Sequence, residues 1–579
     1  MVDIIRRFFD FCGEENRRKF KVSIILGVVQ AFFEALKIPA IACMVRALIA
    51  QSVTGNDILL SFGIMLTSIV GAGLIKAKAT MLQTEAGYDT CARKRVEIAE
   101  HMRYLPMGYF NAKSLGQITS VTTNVMENLE NVATRVVMLV CEGLLTTSLI
   151  IAMLMFYDVR IGLVLLCGFA AFLLANGQLQ KAAGTLAVKK VDADEKLVEK
   201  VLEYLQGMTE VKAYHLTGPK SKELNTAISD NVKINTDMEM TLIPRMSFQT
   251  LIAKITGVCM VGFSCLFYCQ GTMDLLTAVV MVISAFIVYA SLETAGNYSA
   301  LLRVVDVSVE RGQEILSSPQ MDITGEQIVP AHHDIETEHI EFSYDKRKII
   351  DDISLAIPER TTTAIVGPSG GGKTTLVNLL ARFWDVDAGK VMLDQRNVKD
   401  YDLDSLMKNF SFVFQNVYLF HDTIANNIRF SNPEASMEEV IEAAKKACCH
   451  DFITALPNGY DTVIGEGGSS LSGGEKQRIS IARAMMKDAP VIFLDEATAN
   501  VDPENENELI KAIEQLTKEK TVIMIAHRLK TVEHADQILV IDHGKIVQKG
   551  NHESLMKEEG IYKNFIGERR EAAGWKVRV

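Results

Sequence analysis

A glycine-rich segment that ends in lysine and threonine carries the strongest chemical signal in the sequence. Residues 362–375 read Thr-Thr-Ala-Ile-Val-Gly-Pro-Ser-Gly-Gly-Gly-Lys-Thr-Thr, and apolar residues at helical spacing follow. In a strand–loop–helix setting, glycines let backbone N–H groups approach phosphate oxygens, and the helix N-terminus favours an anion. Lys373 would reach the outer phosphates and the Thr374 hydroxyl would ligate Mg²⁺. The predicted phosphate-binding residues are Gly367, Ser369, Gly370, Gly371, Gly372, Lys373, Thr374 and Thr375.

Two further predicted strands end in residues that can act on a phosphate. The apolar run Val-Ile-Phe-Leu leads into Asp495 and Glu496. Such a run is typical of a central parallel strand, and ligands bind at the carboxyl edge of open α/β sheets. There Asp495 would hold Mg²⁺ through water, and Glu496 would orient and deprotonate the attacking water. A strand over residues 521–526 brings His527 to the same edge, where it would contact the terminal phosphate; a structural role for His527 is the alternative.

A second anion site is predicted at residues 471–478, which read Leu-Ser-Gly-Gly-Glu-Lys-Gln-Arg. Ser472, Gly473 and Gly474 would stand at the N-terminus of a helix, where free N–H groups favour an anion. A single triphosphate cannot contact two phosphate loops of the same chain if these lie far apart. We therefore expect a two-fold or pseudo-two-fold dimer, in which each nucleotide lies between the phosphate loop of one chain and residues 471–478 of the other.

The elements that position these residues occupy only the second half of the chain. Of the 579 residues 48% are apolar, and the long apolar runs precede residue 320. Residues 1–329 carry 30 Lys and Arg against 31 Asp and Glu, whereas residues 330–579 carry 30 against 40. Because the acidic half has no basic stripe, nucleic acid is not expected as a partner. We predict an α-helical transmembrane domain over residues 1–320 and an α/β nucleotide-binding domain over residues 321–579.

Six membrane spans are predicted in the first domain, because its uncharged apolar runs approach the roughly 20 residues that cross a bilayer as a helix. Lys and Arg concentrate before the first span, between the second and third, and between the fourth and fifth. The positive-inside rule then places both termini and the second domain in the cytoplasm, at a cell membrane. The apolar runs are 58–75, 143–157, 161–180, 255–273 and 275–292, and a first span lies near 20–50.

Two long connections between spans are polar, poor in glycine and proline, and compatible with helices that continue far into the cytoplasm. Their tips, residues 104–116 and 207–219, contain helix-breaking residues. We expect a soluble domain to contact these tips.

Ionisable residues within the spans are candidates for a substrate path, because charged groups in hydrocarbon usually face a protein interior or a watery cavity. Residues expected on such a cavity are Glu34, Lys37, Glu142 and Glu293. Residues expected near a membrane face or in the cytoplasmic parts of the helices are Lys76, Lys78, Arg135 and Arg245.

The ordered motifs of the second domain resemble the ATP-binding cassette of ABC transporters. The set comprises Tyr344, residues 367–375, Gln415, residues 471–478, Asp495, Glu496, Asp502 and His527. Six spans ahead of one cassette are similar to a half-transporter of the exporter fold, and the resemblance covers essentially the whole chain. It implies that the cofactors are ATP and Mg²⁺ and that the partner is a second half-transporter, either identical or related.

The resemblance also implies roles for individual residues. Tyr344 would stack on adenine, and Gln415 would contact Mg²⁺ and relay to the membrane helices. Glu466 would face the coupling helices, and Asp502 would bridge to the opposite cassette. In this family coupling helices stand where the two tips near residues 104–116 and 207–219 are predicted.

Some residues depart from the usual pattern of the family. Glu475 replaces the usual glutamine of the signature and adds a negative charge near the phosphates, which would weaken the partner's site. Ala-Asn-Val-Asp at residues 499–502 resembles a subgroup of exporter-folded transporters that includes heterodimeric siderophore importers.

These features predict ATP-driven transport of a small molecule across a lipid bilayer, with ATP hydrolysis coupled to alternating access. Export of an amphipathic compound is the first interpretation, and uptake of an iron–siderophore complex by a heterodimer is the second. An ATP-gated channel or regulator is an alternative of another class. A soluble cassette ATPase is excluded by the six predicted spans.

Overall fold

Helices form the first part of the chain and a mixed α/β fold forms the second. The computed structural model describes residues 2–110, 112–214, 219–321, 323–344, 347–465, 468, 471–495, 503–526 and 532–574. Contacts between Cα atoms divide the chain into a unit of Met1–Leu105 with Tyr109–Pro319 and a unit of Pro106–Gly108 with Gln320–Val579.

The first unit contains several helices much longer than a bilayer is thick. Its helices are α1 (Val2–Phe11), α2 (Gly13–Ala35), α3 (Lys37–Ile49), α4 (Gly55–Arg103), α5 (Ala112–Ser120), α6 (Met126–Asn128), α7 (Thr134–Tyr157), α8 (Val159–Gln206), α9 (Met208–Ala213), α10 (Pro219–Cys269), α11 (Leu275–Ser284), α12 (Ala290–Ser299) and α13 (Leu301–Leu316). Helices α4, α8 and α10 have 49, 48 and 51 residues. At 1.5 Å per residue each is about 75 Å long, against a hydrocarbon core of about 30 Å. As predicted, these spans continue well beyond the membrane as helices.

Local sequence explains where two of these long helices begin. The Thr54 hydroxyl accepts a hydrogen bond from the Asp57 N–H at the start of α4, and the Asp57 carboxylate accepts one from the Thr54 N–H in return. Asp158 caps α8 in a similar way, by accepting from the N–H of Arg160 at 2.8 Å. Such caps satisfy backbone donors that a helix leaves free at its N-terminus.

Among the described residues of the first unit, five stretches are long and apolar enough to cross a membrane. They are Gly13–Ile49, Gly55–Arg103, Ser114–Tyr157, Val159–Gln206 and Lys222–Cys269. The third includes two π-helical turns, Val121–Val125 and Leu129–Ala133, between α5, α6 and α7. The chain is therefore a multi-pass membrane protein.

The sixth span differs from the continuous helix predicted over residues 275–292. Helix α11 ends at Ser284 and α12 begins at Ala290, so turns interrupt the span between them. Neighbouring helices stabilise the break: the Thr147 hydroxyl donates to the Val288 carbonyl at 3.5 Å, and the Tyr289 hydroxyl donates to the Leu165 carbonyl at 2.9 Å. Because every residue from 285 to 289 is apolar, hydropathy gave no sign of the interruption.

The second unit is built on two sheets. Its strands are β1 (Ile335–Tyr344), β2 (Arg347–Ile357), β3 (Thr362–Val366), β4 (Ala388–Leu393), β5 (Arg396–Asn397), β6 (Phe410–Val413), β7 (Val491–Asp495), β8 (Thr521–Ile525), β9 (Gln537–Asp542) and β10 (Lys545–Gly550). One sheet has the order β2-β1-β4-β5 and is antiparallel. The other has the order β10-β9-β3-β8-β7-β6 and is parallel except for β10.

Alternate residues of the six-stranded sheet face two separate hydrophobic cores. The helices of this unit are α14 (Lys373–Leu380), α15 (Leu403–Met407), α16 (Ile424–Ile428), α17 (Met437–Lys446), α18 (His450–Ala455), α19 (Gly473–Lys487), α20 (Pro503–Thr517), α21 (His552–Lys557) and α22 (Ile561–Gly574). Ile365 of β3 packs with α14 and the antiparallel sheet. Ala364 and Val366 pack instead with α19 and α20. Helices α14 and α19 therefore cover opposite faces of one sheet.

Candidate active site

In the loop between β3 and α14, Gly367 and Gly372 combine a positive φ with a close contact to a neighbouring strand. Gly367 has φ +146°, and a Cβ on it would lie 2.0 Å from the Ile541 carbonyl oxygen. Gly372 has φ +105°, and its Cβ would lie 3.2 Å from the Ile349 carbonyl oxygen. The loop is thus pressed against β9 and β2 while its backbone turns into the N-terminus of α14. Such a turn presents backbone N–H groups to an anion.

A charge cluster on β2 fixes the strand against which this loop packs. The ammonium groups of Lys348 and Lys545 hydrogen-bond the Asp351 carboxylate and hold its pKa below the ordinary value. The Asp351 N–H also donates to the Gly544 carbonyl at 2.9 Å. These bonds join β2 to the turn between β9 and β10, beside the residues that contact Gly367 and Gly372.

Lys373 lies across the phosphate loop. Its side chain is 8% exposed, and Nζ donates to the carbonyl oxygens of Gly367 at 2.9 Å and Pro368 at 2.8 Å. The ammonium group is therefore at the centre of the loop, where a bound phosphate would meet it. Next to it the Thr374 residue is exposed and Thr375 is buried, while Ser369 and Gly370 are exposed at the outer side of the loop.

Strand register brings the predicted metal ligands to the same sheet edge as this loop. Ile525 of β8 pairs with Ile365 of β3 on one side and with Asp495 of β7 on the other. With strands about 4.8 Å apart, the Asp495 backbone lies about 10 Å from that of Ile365. Val413 pairs with Leu494, so Gln415 follows β6 beside Asp495. The sequence predicts Asp495 at the end of a strand but gives no strand order, so it could not show that Gln415 lies beside it.

Several residues named from the sequence lie outside the described residues: Glu466, Glu496, the Ala-Asn-Val stretch at 499–501, Asp502 and His527. The chain is described up to Asp495 at the end of β7 and up to Ala526 after β8. The roles of these residues stay predictions.

Ser472 caps helix α19, and Glu475 completes the cap. The Ser472 hydroxyl accepts from the Glu475 N–H at 3.3 Å, and one Glu475 carboxylate oxygen accepts from both the N–H and the hydroxyl of Ser472 at 2.8 Å. Gly473 is exposed beside Ser472, and Gly474 is buried. In this arrangement the serine hydroxyl that would bind a phosphate donates to a carboxylate of its own helix.

The two predicted anion sites lie on different faces of the sheet. The phosphate loop leads into α14 on one face, and Ser472 begins α19 on the other. With helices of about 10 Å diameter on either side of a sheet, the two helix axes are about 20 Å apart. Within one chain the two sites therefore stand apart, as the sequence argument for a dimer required.

Tyr344 stands at the end of β1 in an aromatic group. Its ring is partly exposed and lies 5.0 Å from that of Phe342 and 5.6 Å from that of Trp384, both edge-on. Trp384 follows α14 and was not identified from the sequence. Its rarity could have drawn attention to it, because the chain has only 2 tryptophans. The group presents aromatic surface beside the hairpin of β1 and β2.

Comparison with known proteins accounts for both halves of the chain. The sequence profile of the ABC transporter transmembrane region matches residues 20–292, and the ABC transporter profile matches residues 350–499. An ATP-dependent lipid A-core flippase of Vibrio vulnificus is 32% identical over 577 residues, which cover 94% of this chain and 95% of the flippase. The chain belongs to the ABC transporter family. It is a half-transporter in which a transmembrane domain is fused to an ATPase domain, and it couples ATP hydrolysis to transport.

This ABC transporter chain is also similar to a further relative and to a solved structure. The mycobactin import ATP-binding/permease protein IrtA of Mycolicibacterium smegmatis is 31% identical over 557 residues, which cover 94% of this chain and 63% of IrtA. A solved structure of a bacterial Atm1-family ABC exporter with ATP bound superimposes with a TM-score of 0.88 at 24% identity, covering 96% of this chain and 99% of that one. The second similarity establishes the exporter fold.

The charged residues expected on a transport cavity form pairs in this ABC transporter chain. The ion pairs are Lys37 with Glu34, Lys76 with Glu142 at 3.5 Å, and Lys254 with Glu293 at 2.9 Å. Glu142 also accepts from the Gln30 amide at 2.6 Å. Pairing lowers the cost of charge within a membrane. The sequence predicted Glu34, Lys37, Glu142 and Glu293 on a cavity but gave no indication of how they pair.

Proposed function

We propose that this chain pairs with a second half-transporter, identical or related, in a cell membrane and exports an amphipathic small molecule. One observation carries the pairing: α14 and α19 cover opposite faces of one sheet. Each nucleotide would then lie between the phosphate loop of one half and Ser472, Gly473 and Gly474 of the other. Both termini and the ATPase domain would lie in the cytoplasm, as the distribution of positive charge favours.

The nucleotide would be held by residues of both sheets. Tyr344 would stack on the adenine, and the loop amides with Lys373 would bind the outer phosphates. Asp502 would form a bridge to the opposite cassette. ATP binding would bring the two halves together and change the exposure of the cavity through the long helices, and hydrolysis would reset it.

The residues at the sheet edge are suited to Mg²⁺. Thr374, Gln415 and Asp495 offer hydroxyl, amide and carboxylate oxygens, which are the hard ligands that this ion prefers. When bound, Mg²⁺ would supply neutralising charge to the phosphates. The phosphate loop after β3 and the ends of β6 and β7 on the same edge support this assignment.

Hydrolysis would depend on two residues that directly follow the described ends of strands. Glu496 would orient the attacking water and accept its proton, and His527 would contact the terminal phosphate. Lys373 would stabilise the negative charge that develops there. The register of β7 and β8 supports this, because Asp495 and Ile525 pair side by side.

A complementation experiment tests the shared site. Lys373→Ala removes the phosphate-loop lysine, and Ser472→Ala removes the signature hydroxyl. In a homodimer containing one copy of each, one site has both defects and the other is intact. Each variant alone should lose most ATPase activity. The mixed dimer should recover up to about half of the wild-type rate per dimer, because one of its two sites is intact. Co-assembled mixtures that stay inactive would contradict a site shared between chains.

A second candidate function is uptake of an iron–siderophore complex by a heterodimer. It is favoured by the similarity to IrtA and by the Asn-Val pair at residues 500–501. Growth of a deletion strain on siderophore iron, compared with its sensitivity to amphipathic drugs, separates uptake from export. In inside-out vesicles an exporter would accumulate its substrate against a gradient and an importer would expel it, whereas an ATP-gated channel would do neither.

A further inference from the structure

Helix α19, which begins after Ser472, is bonded to the loop that carries Gln415. We call residues 414–423, between β6 and α16, the Gln415 loop. The side-chain amide of Gln477 on α19 donates to the Phe414 carbonyl at 3.3 Å. Phe414 directly precedes Gln415, so this bond fixes the start of the loop to α19.

Arg483, further along α19, makes a second contact with three hydrogen bonds. Its guanidinium donates to the Tyr418 carbonyl at 3.2 Å, to the Asn427 carbonyl at 3.0 Å and to the Asn427 side-chain oxygen at 3.0 Å. The Phe430 ring lies against it, with the ring centroid 5.2 Å from the guanidinium carbon. A planar guanidinium presents its donors in a fixed fork, so the bonds set the orientation of the loop as well as its distance.

Asn427 extends the second contact into the Gln415 loop. The residue is 1% exposed; its side-chain oxygen accepts from the Phe420 N–H at 3.0 Å, and its amide donates to the Phe420 carbonyl at 3.0 Å. The Phe420 ring stacks on that of Phe430 at 4.9 Å. Because both backbone groups of Phe420 are bonded, the loop cannot shift along α19 without losing several hydrogen bonds together.

Arg483 acts through hydrogen bonds and not through a counterion. Among the described residues no carboxylate pairs with it, and burial lowers its pKa because desolvation disfavours the charge. By contrast, Arg478 on the same helix pairs with Glu508 of α20. Hydrogen bonds from an ionised donor are about twice as strong as neutral ones. The guanidinium therefore holds the neutral acceptors of the loop firmly against α19.

Helix α19 lies between two different nucleotide sites in the proposed dimer. Gln415 follows β6 beside Asp495 and would act at the phosphate loop of its own chain. Ser472 caps α19 and would contact the nucleotide of the opposite half. Along the helix Gln477 and Arg483 lie about 8 Å and 16 Å from Ser472. A short continuous helix therefore joins the Gln415 loop of one site to the Ser472 of the other.

We propose that Gln477 and Arg483 are positioning residues that couple the two nucleotide sites of the transporter. A nucleotide at the chain's own phosphate loop would move Gln415, α19 would move with the loop, and Ser472 would reach its productive position in the opposite site. An empty phosphate loop would keep Ser472 out of that position. The proposal rests on the paired arrangement proposed above and adds communication between its two sites. Such coupling is reciprocal, so each site would raise the affinity of the other for ATP.

The dependence of the ATPase rate on ATP concentration, measured with the assembled and reconstituted transporter, tests the proposal. The wild type should have a Hill coefficient between about 1.5 and 2, because the dimer has two sites. Arg483→Lys keeps the charge but removes the planar fork, and Gln477→Ala removes the amide, so each should lower the Hill coefficient toward about 1. The thermal unfolding midpoint checks that both variants fold.

Lys487→Gln is the matched control. Lys487 is a partly buried cation one turn beyond Arg483 on the same helix, and it has no hydrogen bond or ion pair with a described residue. Its replacement removes a positive charge from α19 without touching the Gln415 loop. We expect it to leave the Hill coefficient unchanged.

A mixed dimer gives a result that simple damage to α19 could not produce. This chain carries Lys373→Ala, which empties its own phosphate loop, and the second half supplies the functional loop. The live nucleotide then contacts Ser472 of the Lys373→Ala chain, and the empty loop should hold the live site below its wild-type rate. Adding Arg483→Lys to the Lys373→Ala chain should free Ser472 and raise that rate by about twofold or more.

Three results would overturn the proposal. They are wild-type hydrolysis without cooperativity, a Hill coefficient that Arg483→Lys and Gln477→Ala leave unchanged, and a live-site rate that falls when Arg483→Lys is added to the Lys373→Ala chain. Cooperative hydrolysis that depends on Arg483, without ATP-driven transport in vesicles, would instead contradict the proposed export and leave the coupling between the sites intact.

Discussion

At the scale of single residues, the phosphate loop depends on contacts that a motif does not specify. The spacing of Gly367, Gly372 and Lys373 predicted a phosphate-binding loop. It did not show that each glycine is needed because the loop packs closely against a neighbouring strand. Gly367 is pressed against the Ile541 carbonyl, and Lys373 is held by two carbonyls of its own loop. Contacts within the protein itself thus help to shape the site.

Replacing Gly367 should damage both stability and binding. A Cβ there would lie 2.0 Å from the Ile541 oxygen at a φ of +146°. We expect Gly367→Ala to destabilise the cassette by about 1–3 kcal/mol and to abolish ATP binding at that site. Thermal unfolding and nucleotide binding measure the two effects. Gly370→Ala is the control: its φ is +79°, but no atom lies within 4 Å of the added Cβ, so it should perturb stability less. Equal losses in both variants would contradict the role of this contact.

The carboxylate of Glu475 should compete with the nucleotide for the Ser472 hydroxyl. Neutralising it should weaken the bond to Ser472 and remove a negative charge near the phosphates, because hydrogen bonds to ionised acceptors are about twice as strong. We expect Glu475→Gln to lower the KM for ATP by about threefold to tenfold. ATPase kinetics of the assembled transporter measure this change.

Helix α17 provides a matched control for that prediction. Glu439 caps α17 through Ser436 with the same pattern of hydrogen bonds. Glu439→Gln should therefore cost similar helix stability, about 0.5–1 kcal/mol, without changing the KM. A KM that is unaltered by Glu475→Gln, or altered equally by Glu439→Gln, would show that the carboxylate does not oppose ATP.

At the scale of elements, periodicity and apolar runs predicted the long helices and the strands that carry the site. What they could not predict was strand order, because β3 and β7 are separated in sequence by more than 120 residues and joined only through β8. Nor could hydropathy reveal the break between α11 and α12, whose residues are all apolar. The partners of Glu142 and Glu293 were equally hidden, since contacts between helices depend on packing rather than composition.

Close packing of α7 on α12 holds the lower part of this broken span. A Cβ on Gly143 would lie 2.5 Å from the Ala295 side chain and 2.6 Å from the Ser291 carbonyl. Gly143→Ala should destabilise the transmembrane domain by about 1–3 kcal/mol, because well-packed helices cannot separate without losing contacts. The thermal unfolding midpoint in detergent measures this effect. Gly63→Ala on α4, where no atom lies within 4 Å, should leave the midpoint unchanged or raise it. An unchanged midpoint for Gly143→Ala would contradict this packing.

At the scale of the whole molecule, the uneven composition of the chain reflects two environments, the lipid bilayer and water. The nearly neutral half provides the membrane helices, and the half with 30 basic and 40 acidic residues carries the nucleotide site. The excess negative charge of that half opposes an anionic nucleotide in general, so local groups such as Lys373 and the loop amides must dominate at the site.

The ATPase rate of a Glu496→Gln variant in the purified, reconstituted transporter tests this account most directly. The amide cannot accept the proton of the attacking water, so turnover at that site should fall by about 100-fold or more. ATP binding should remain within about twofold of wild type, because the variant keeps the size of the side chain and the whole phosphate loop. Loss of hydrolysis with retained binding is the predicted result. Undiminished hydrolysis in the purified homodimer would contradict the assignment of the active site.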